Sequence, residues 1–328
     1  MTIALLILAI VVGFAVLIWG ADRFVDGAAN IATNFGVSPL VVGLTIVAFG
    51  TSAPEMLVAA LASFDGSPAL GIGNAIGSNI ANIGLVLGIT LLVSPLIVRS
   101  ETLKREVPLL AFIMVVSVFL LWDQHLGRTD GIILFTGFIL TLAGMALLAL
   151  RSNKNDPLNQ EFEQEFAEQT MTTKQSIINF SIGLIALLIG SKALVWGAAG
   201  GAALLGVSEL VIGLTIVAIG TSLPELAASI ISALKGEDDI AIGNIIGSNM
   251  FNILAVLAMP GLIAPSNIDP AVLQRDIPMM IGIFILLYIF TRTGHRGKIG
   301  RFAGIILLLS YIAYNVLLAY QSTIGSGA

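Results

Sequence analysis

The sequence predicts an all-α polytopic membrane protein whose ten transmembrane helices form two inverted repeats of five helices each. Two observations predict this fold class. The mean hydropathy of the 328-residue chain is +1.00 and only 11% of its residues are charged, whereas about a quarter are charged in a typical globular domain. Residues 44–55 (LTIVAFGTSAPE) and 214–225 (LTIVAIGTSLPE) are nearly identical, at an offset of 170 residues.

Apolar stretches of roughly 20 residues, the length that crosses a bilayer, recur along the whole chain. Gly and Pro inside several of them are tolerated in membrane helices when neighbouring groups satisfy the freed backbone. The first 20 residues contain no Lys or Arg, which favours a first transmembrane helix over a cleaved signal peptide. We expect ten spans near residues 2–33, 39–63, 69–93, 108–122, 131–150, 175–204, 210–234, 240–263, 278–291 and 302–320.

Lysine and arginine are distributed unevenly among the loops that these spans would create. By the positive-inside rule the loops rich in them face the cytoplasm, so both termini are expected on the extracytoplasmic side. The loops expected outside contain only Arg128 and Arg275. The basic residues expected on the cytoplasmic side are Arg99, Lys104, Arg105, Arg151, Lys154, Lys174, Lys235, Arg292, Arg296, Lys298 and Arg301.

One long hydrophilic segment, residues 152–170, separates the fifth and sixth spans. It divides the chain into an N-terminal repeat (1–151), an acidic cytoplasmic linker (152–174) and a C-terminal repeat (175–328). A run of carboxylates can bind a regulatory cation, but these lack the Asp/Gly spacing of an EF-hand loop. A plain linker is therefore the expected role.

The offset of 170 residues extends well beyond the first motif. It aligns Pro108 with Pro278, and it aligns a second block, GIGNAIGSNIANI at 71–83, with AIGNIIGSNMFNI at 241–253. Because each half has five spans, an odd number, the second half must enter the membrane upside down relative to the first. Inverted repeats with interrupted helices in matching positions indicate a secondary transporter with a binding site near the midplane.

Each repeat places one glutamate, Glu55 or Glu225, in the middle of an apolar span. A carboxylate at membrane depth costs about 2.5–3.5 kcal/mol on insertion scales, so it usually has a function. Prolines 54 and 224 precede the glutamates directly and are expected to kink or break their helices. The carbonyls that such a break would free for a cation are those of Val47, Ala48, Val217 and Ala218.

Hydroxyl and amide side chains accompany the glutamates at helical spacing. Thr51 lies four residues before Glu55 and therefore on the same helix face. Carboxylate, hydroxyl, amide and carbonyl oxygens suit Ca²⁺ and Na⁺, whereas zinc or copper would call for His or Cys. Both histidines lie in predicted loops and the chain has no cysteine. The candidate ligands are Glu55, Thr51, Ser78 and Asn82, with their counterparts Glu225, Thr221, Ser248 and Asn252.

Other polar residues in the spans have structural explanations. Thr45 is expected to bond back to its own helix. Asn79 and Asn249 point away from the Ser–Asn face, so we expect them to have a structural role between helices. Asp22, Arg23 and Asp26 of the first span have Lys192, Ala193 and Trp196 as their repeat counterparts, so these charges do not follow the symmetry. They are expected to pair internally or to reach the cytoplasmic surface.

The motifs GTSAPE and GTSLPE, each followed by GNxIGSNxxN, resemble the α-repeats of the cation/Ca²⁺ exchanger superfamily, specifically of prokaryotic Na⁺/Ca²⁺ exchangers. The resemblance covers the whole chain apart from the linker. It implies Na⁺/Ca²⁺ antiport in a prokaryotic inner membrane by alternating access, with the first and sixth spans sliding across a rigid core. It implies that the ion ligands are Glu55 and Glu225, the hydroxyls of Thr51, Ser52, Thr221 and Ser222, the carbonyls of Ala48 and Ala218, and the flanking Ser78, Asn82, Ser248 and Asn252.

One position departs from the family pattern. Exchangers of this branch often have Asp where this chain has Asn252, so the site contains only two formal negative charges. Two charges neutralise one Ca²⁺ or two Na⁺, and the exchange of three Na⁺ for one Ca²⁺ rests on the resemblance alone. Exchange of Ca²⁺ for protons, carried by the glutamates, and K⁺-dependent exchange are the alternatives.

The same residues disfavour an enzyme. Ser52 and Ser222 neighbour carboxylates, but no His or Lys in the motif could serve as a base for a nucleophile. No cofactor is expected. The expected partners are the transported ions Ca²⁺ and Na⁺ and the lipid bilayer, with no nucleic acid and no obligatory protein partner.

Overall fold

The computed structural model describes residues 3–97, 100–151, 171–205, 218–293 and 297–325 of the chain. Most of the predicted linker and the first part of the seventh span lie outside the described residues. The helices, numbered in chain order, are α1 (Ile3–Phe35), α2 (Pro39–Phe64), α3 (Pro68–Val93), α4 (Ser100–Leu120), α5 (Arg128–Arg151), α6 (Thr173–Leu204), α7 (Ala218–Thr221 and Leu223–Leu234), α8 (Asp238–Ile263), α9 (Val272–Thr293) and α10 (Arg301–Gly325).

Eight of the described helices are long and apolar enough to cross a membrane. The other two are α4, whose first turns contain Lys104, Arg105 and Glu106, and α7, of which only a short part is described. Every predicted span thus overlaps a described helix. The count of ten membrane crossings and the inversion of the two halves remain predictions.

Two short antiparallel strand pairs join the two halves of the chain. β1 (Leu96–Ile97) pairs with β4 (Lys298–Ile299), and β2 (His125–Leu126) pairs with β3 (Ser266–Asn267). Each pair combines a strand of one half with a strand of the other, so strand pairing connects the two halves.

Helices α1 and α6 form a tightly packed antiparallel pair. Glycines recur every seven residues along both, at 13, 20 and 27 in α1 and at 183, 190 and 197 in α6. A Cβ atom built on Gly20 would lie 2.8 Å from the backbone nitrogen of Leu187, and one on Gly183 would lie 2.4 Å from that of Phe24. The two backbones are therefore in direct contact, as small residues permit between membrane helices.

The remaining helices surround a core in which α3 and α8 lie deepest. The most apolar stretch of α8 is completely buried and that of α3 is 78% buried, compared with 22% in α1 and 28% in α6. Large apolar side chains cover the outside, among them Phe112, Phe119 and Trp122 at 64%, 79% and 74% exposure. Apolar surface on this scale is expected where a protein faces lipid.

The predicted interruption of the second span takes a different form from a break at Pro54. The helix is α-helical from Ala48 to Phe64 with Pro54 inside it, and it widens to a π-helix at Gly43–Val47, about two turns before the proline. Such widened turns occur frequently at functional sites. In α7 the helix does break, at Ser222, and Pro224 occupies the first turn of the segment that follows.

Candidate cation site

The two glutamates are buried in equivalent positions in the two halves. Glu55 of α2 and Glu225 of α7 are each 1% exposed. Asn74 of α3 donates its amide N–H to the backbone carbonyl of Glu55, and Asn244 of α8 donates to that of Glu225, both at 3.3 Å. The asparagines thus tie each glutamate-bearing helix to the next helix of its own repeat. They belong to the repeated GN dipeptide, a signal that was present in the sequence but was not assigned a role.

Two contacts connect the halves across the centre of the site. The Ser52 hydroxyl lies 3.5 Å from Oε1 of Glu225 and donates to it. The Thr51 hydroxyl lies 3.1 Å from Oδ1 of Asn244. Residues of the N-terminal repeat therefore contact both a carboxylate and an amide of the C-terminal repeat, so the two glutamate-bearing motifs meet.

The Thr51 hydroxyl is surrounded by more acceptors than it can serve. Besides Asn244 Oδ1, the carbonyl oxygens of Val47 and Ala48 lie 3.2 and 3.3 Å from it. The amide nitrogen of Asn244 points to Ser229 at 3.0 Å, so its oxygen faces Thr51. A hydroxyl has one proton to donate. Thr51 therefore cannot make a full hydrogen bond to all three oxygens at once.

Several buried polar atoms of the site have no hydrogen-bond partner in the described part of the chain. They are both carboxylate oxygens of Glu55, Oε2 of Glu225, the amide groups of Asn82 and Asn252, and the hydroxyl of Ser248. A buried group without a partner typically costs about 1–3 kcal/mol. Unpartnered buried polar atoms on the four helices that bear the repeated motifs are what a site for an ion or ordered water would leave.

The other predicted ligands lie on the same four helices. Ala48, Thr51, Ser52, Ser78, Asn82, Ser222, Ser248 and Asn252 are buried, and Thr221 is half-buried. Ala218 is in the short first segment of α7, but its side chain lies outside the described part of the structure. Asn82 and Asn252 each begin a π-helical segment, Asn82–Leu87 and Asn252–Val256, so the local helix geometry is repeated along with the sequence.

Aromatic side chains lie on one flank of this cluster. The rings of Phe138 and Phe251 meet edge to face at 5.2 Å, and Phe49 packs against both, at 6.5 and 6.2 Å. The three rings line a small apolar crevice together with Ser52 and Met56. An apolar wall excludes water from one flank of the polar cluster and strengthens electrostatic interactions inside it.

The structural roles assigned to other polar residues are partly confirmed. Thr45 donates to the carbonyl of Val41 in its own helix at 2.6 Å, as expected. Asn79 and Asn249 also bond within their own helices, to Ala75 at 2.8 Å and to Ile245 at 2.7 Å. The expectation of an interhelical role for these asparagines was wrong, because their amides reach the carbonyl four residues earlier.

The charges of α1 pair internally, as predicted. The ammonium of Lys235, which follows α7, lies 2.7 Å from Asp22 and 2.5 Å from Asp26. Arg23 stacks over the ring of Trp19 at 5.2 Å and donates to Asn179 at 3.1 Å. These groups lie outside the cluster of candidate ligands.

The donor set is one of oxygens. The described residues contain no group of three or more His, Cys, Asp or Glu side chains that could hold a metal ion. Two carboxylates, several hydroxyls and amides and the nearby carbonyls instead suit Ca²⁺ and Na⁺, which bind oxygen ligands. Two carboxylates match the charge of one divalent or two monovalent cations.

Comparisons with known proteins support this chemistry. A family profile described as "Sodium/calcium exchanger protein" matches residues 5–147 and 175–320. The putative antiporter CaxA of Alkalimonas amylolytica is 49% identical over 310 residues, which cover 94% of this chain and 97% of the relative. The sodium/calcium exchanger MaX1 of Methanosarcina acetivorans is 33% identical over 352 residues, covering 95% of this chain and 98% of the relative.

The structure also has a solved counterpart. The sodium-calcium exchanger NCX_Mj superposes with a TM-score of 0.82 at 35% sequence identity, over 97% of this chain and 100% of the other. The similarity extends over both halves of the chain and is not confined to the repeated motifs.

Proposed function

Because the chain belongs to the sodium/calcium exchanger family, we propose that it exchanges Na⁺ for Ca²⁺ across the cell membrane of a prokaryote by alternating access. The observation that carries this proposal is the pair of buried glutamates, which come from matching positions of the two halves and have unpartnered oxygens. Burying a glutamate in each half destabilises the fold, so a purely structural role does not explain the repeated carboxylates.

In this proposal the glutamates bind Ca²⁺ and Na⁺ alternately. Glu55 and Glu225 supply the charge at the centre. The proposed oxygen ligands around them are the hydroxyls of Thr51, Ser52, Thr221 and Ser222, the carbonyls of Ala48 and Ala218, and the side chains of Ser78, Asn82, Ser248 and Asn252. Asn74 and Asn244 position the glutamate-bearing helices without binding the ion themselves.

The proposed topology places this site at the midplane of the bilayer. Two inverted five-helix repeats, residues 1–151 and 175–328, enclose it, and both termini face the extracytoplasmic side. The linker at 152–174 is then cytoplasmic. The tightly packed pair α1–α6 moves as one body across the other helices, and no protein partner is required.

Uptake of ⁴⁵Ca²⁺ into proteoliposomes tests the proposal. Vesicles loaded with Na⁺ and diluted into Na⁺-free buffer should accumulate ⁴⁵Ca²⁺, and collapse of the Na⁺ gradient should stop uptake. A protonophore with the Na⁺ gradient held constant is the matched control. Equal ⁴⁵Ca²⁺ uptake with and without the Na⁺ gradient would refute Na⁺/Ca²⁺ exchange.

Ca²⁺/H⁺ exchange is the second candidate. The observation in its favour is that both oxygens of Glu55 lack a donor in the described structure, and a carboxylate buried in this way is readily neutralised by a proton. If the protonophore, and not the loss of the Na⁺ gradient, abolished ⁴⁵Ca²⁺ uptake, the proton would replace Na⁺ as the coupled ion.

A further inference from the structure

The repeat relates two pairs of charged residues with their signs exchanged. The offset of 170 residues aligns Asp22 of α1 with Lys192 of α6, and it aligns Lys235, which follows α7, with Asp65, which follows α2. Each half thus contributes one charge on its first helix and the opposite charge at the end of its second. Because the repeat reverses the signs, two ion pairs of the same composition are available.

One of these pairs is formed in the structure and the other is not. Lys235 Nζ lies 2.7 Å from Asp22 and 2.5 Å from Asp26, and it also reaches the backbone carbonyl of Asp22 at 3.3 Å. Lys192 and Asp65 are both exposed, and no salt bridge joins them, although both belong to the described residues. The structure is therefore asymmetric where the sequence is nearly symmetric.

Helix packing shows the same asymmetry independently of the charges. α1 packs along the Leu223–Leu234 segment of α7. The equivalent contact, between α6 and the Ala48–Phe64 segment of α2, is almost absent. α1 therefore packs on the segment of α7 that ends beside Lys235, and α6 lacks most of the equivalent packing on the segment of α2 that ends beside Asp65.

We propose that Asp22–Lys235 and Lys192–Asp65 are alternating latches, each of which closes one end of the ion pathway when the other opens. Backbone contact at the heptad glycines makes α1 and α6 one body, so a movement that brings α6 onto α2 takes α1 away from α7. This inference rests on the proposed alternating access. By the distribution of lysine and arginine, the latch that is closed here faces the cytoplasm.

The exposure of the formed pair suits a latch that must open in every cycle. The side chains of Lys235 and Asp22 are 28% and 52% exposed. Ion pairs with this much access to water stabilise only weakly, so neither closed state is locked by them. Each ion pair stabilises the state in which it forms. Because the two pairs favour opposite states, the two states stay close in free energy, as an exchanger that must visit both requires.

Cross-linking in the full chain tests mutual exclusion, because the chain contains no native cysteine to interfere. Cysteines replace Asp22, Lys235, Lys192 and Asp65 in one chain. A short bifunctional methanethiosulfonate reagent then joins the two cysteines of a closed latch. The reagent is needed because a lysine side chain separates the two backbones by more than a disulfide can bridge. We expect molecules with one cross-link or the other, seen by intact mass after proteolysis, and never both. Both cross-links in one molecule, or none between positions 65 and 192 during turnover, would overturn the proposal. The pair Asp65→Cys with Lys235→Cys is the negative control.

A charge exchange provides a second test that does not depend on the four-cysteine chain. Asp65→Lys places two like charges at the open latch and should slow exchange several-fold, and adding Lys192→Asp should restore it. A parental rate in the single variant would contradict the latch. Because cross-linking is read without any ion flux, exclusive cross-links with no Na⁺-driven Ca²⁺ uptake would refute the ion assignment and leave the latches standing.

Discussion

The two repeats place the same residue types in unequal surroundings. Asn244 is fully buried and contacts Thr51, the Glu225 carbonyl and Ser229, whereas Asn74 is half-buried and contacts the Glu55 carbonyl. The two nearly identical motifs therefore hold equivalent asparagines in different hydrogen-bonding environments within one structure. The proposed alternating access would require such a difference, because its two states would exchange the roles of the halves.

A second pair of matching acids shows the same inequality away from the site. Asp276 accepts hydrogen bonds from Arg275 at 2.6 Å and from the Tyr314 hydroxyl at 2.8 Å. Its counterpart by the repeat is Glu106, which also follows an arginine, yet Oε2 of Glu106 has no hydrogen-bond partner in the described structure. Repetition of a motif thus does not guarantee repetition of its contacts.

The largest expected effect comes from neutralising either glutamate, and it should be of similar size in the two halves. Glu55→Gln and Glu225→Gln each remove one of two charges while keeping the shape of the side chain. Each should lower ⁴⁵Ca²⁺ uptake by on the order of 100-fold, equivalent to about 2.7 kcal/mol. Glu106→Gln removes a carboxylate outside the cluster and should transport at the parental rate. Near-parental uptake by either site variant would show that its glutamate does not bind the ion.

A third charge should change the coupling rather than the affinity for Ca²⁺. Asn252→Asp adds a carboxylate whose charge can be neutralised by a further Na⁺ or by a proton. We expect the Na⁺ concentration dependence, or the pH dependence, of exchange to shift more than the KM for Ca²⁺. Asn82→Asp is the matched variant in the other half. An unchanged Na⁺ stoichiometry, measured from the reversal potential, together with an unchanged pH dependence would contradict the argument from charge.

The unequal asparagines should differ in the cost of their removal. Asn244→Ala removes hydrogen bonds to Glu225 and Ser229 and the acceptor for Thr51, so it should lower the free energy of unfolding by about 2–3 kcal/mol. Asn74→Ala removes one described hydrogen bond and should cost about 1 kcal/mol. Thermal unfolding in detergent measures both. Equal decreases in unfolding temperature would mean that the two asparagine environments interchange faster than the measurement, or that their different hydrogen bonds contribute equally to stability.

The smallest expected effect concerns a buried acid beside the closed latch. Burial raises the pKa of Glu237, the nearby Asp239, Asp26 and Asp238 add to the effect, Lys235 opposes it, and together they bring this pKa to about 7. Because this pKa lies above that of an unfolded glutamate, the stabilising contribution is complete below about pH 4.5 and is lost as the pH rises through 7. Glu237→Gln should therefore raise the unfolding temperature at pH 8 and leave it nearly unchanged at pH 5. A shift independent of pH would assign the effect to packing.

The helices and the buried glutamates could be predicted from hydropathy, spacing and the repeat, since these depend on local composition. The π-helical turn at Gly43–Val47 could not, because no residue pattern there distinguishes a widened turn from an ordinary α-helical one. The bonds of Asn74 and Asn244 depend on how neighbouring helices are rotated. The closed contact at Lys235 and the open one at Asp65 could not be predicted either, because two states of one sequence share all its local signals.

We expect a single Ca²⁺ site that needs the glutamates of both repeats. Equilibrium binding of ⁴⁵Ca²⁺ to the purified protein in detergent tests this most directly, with Glu55→Gln and Glu225→Gln measured beside the parent. We expect one Ca²⁺ bound per parental chain and none in either variant at the same concentration. If each variant instead retained half of the parental binding, the two glutamates would belong to separate sites, and the central claim would be wrong.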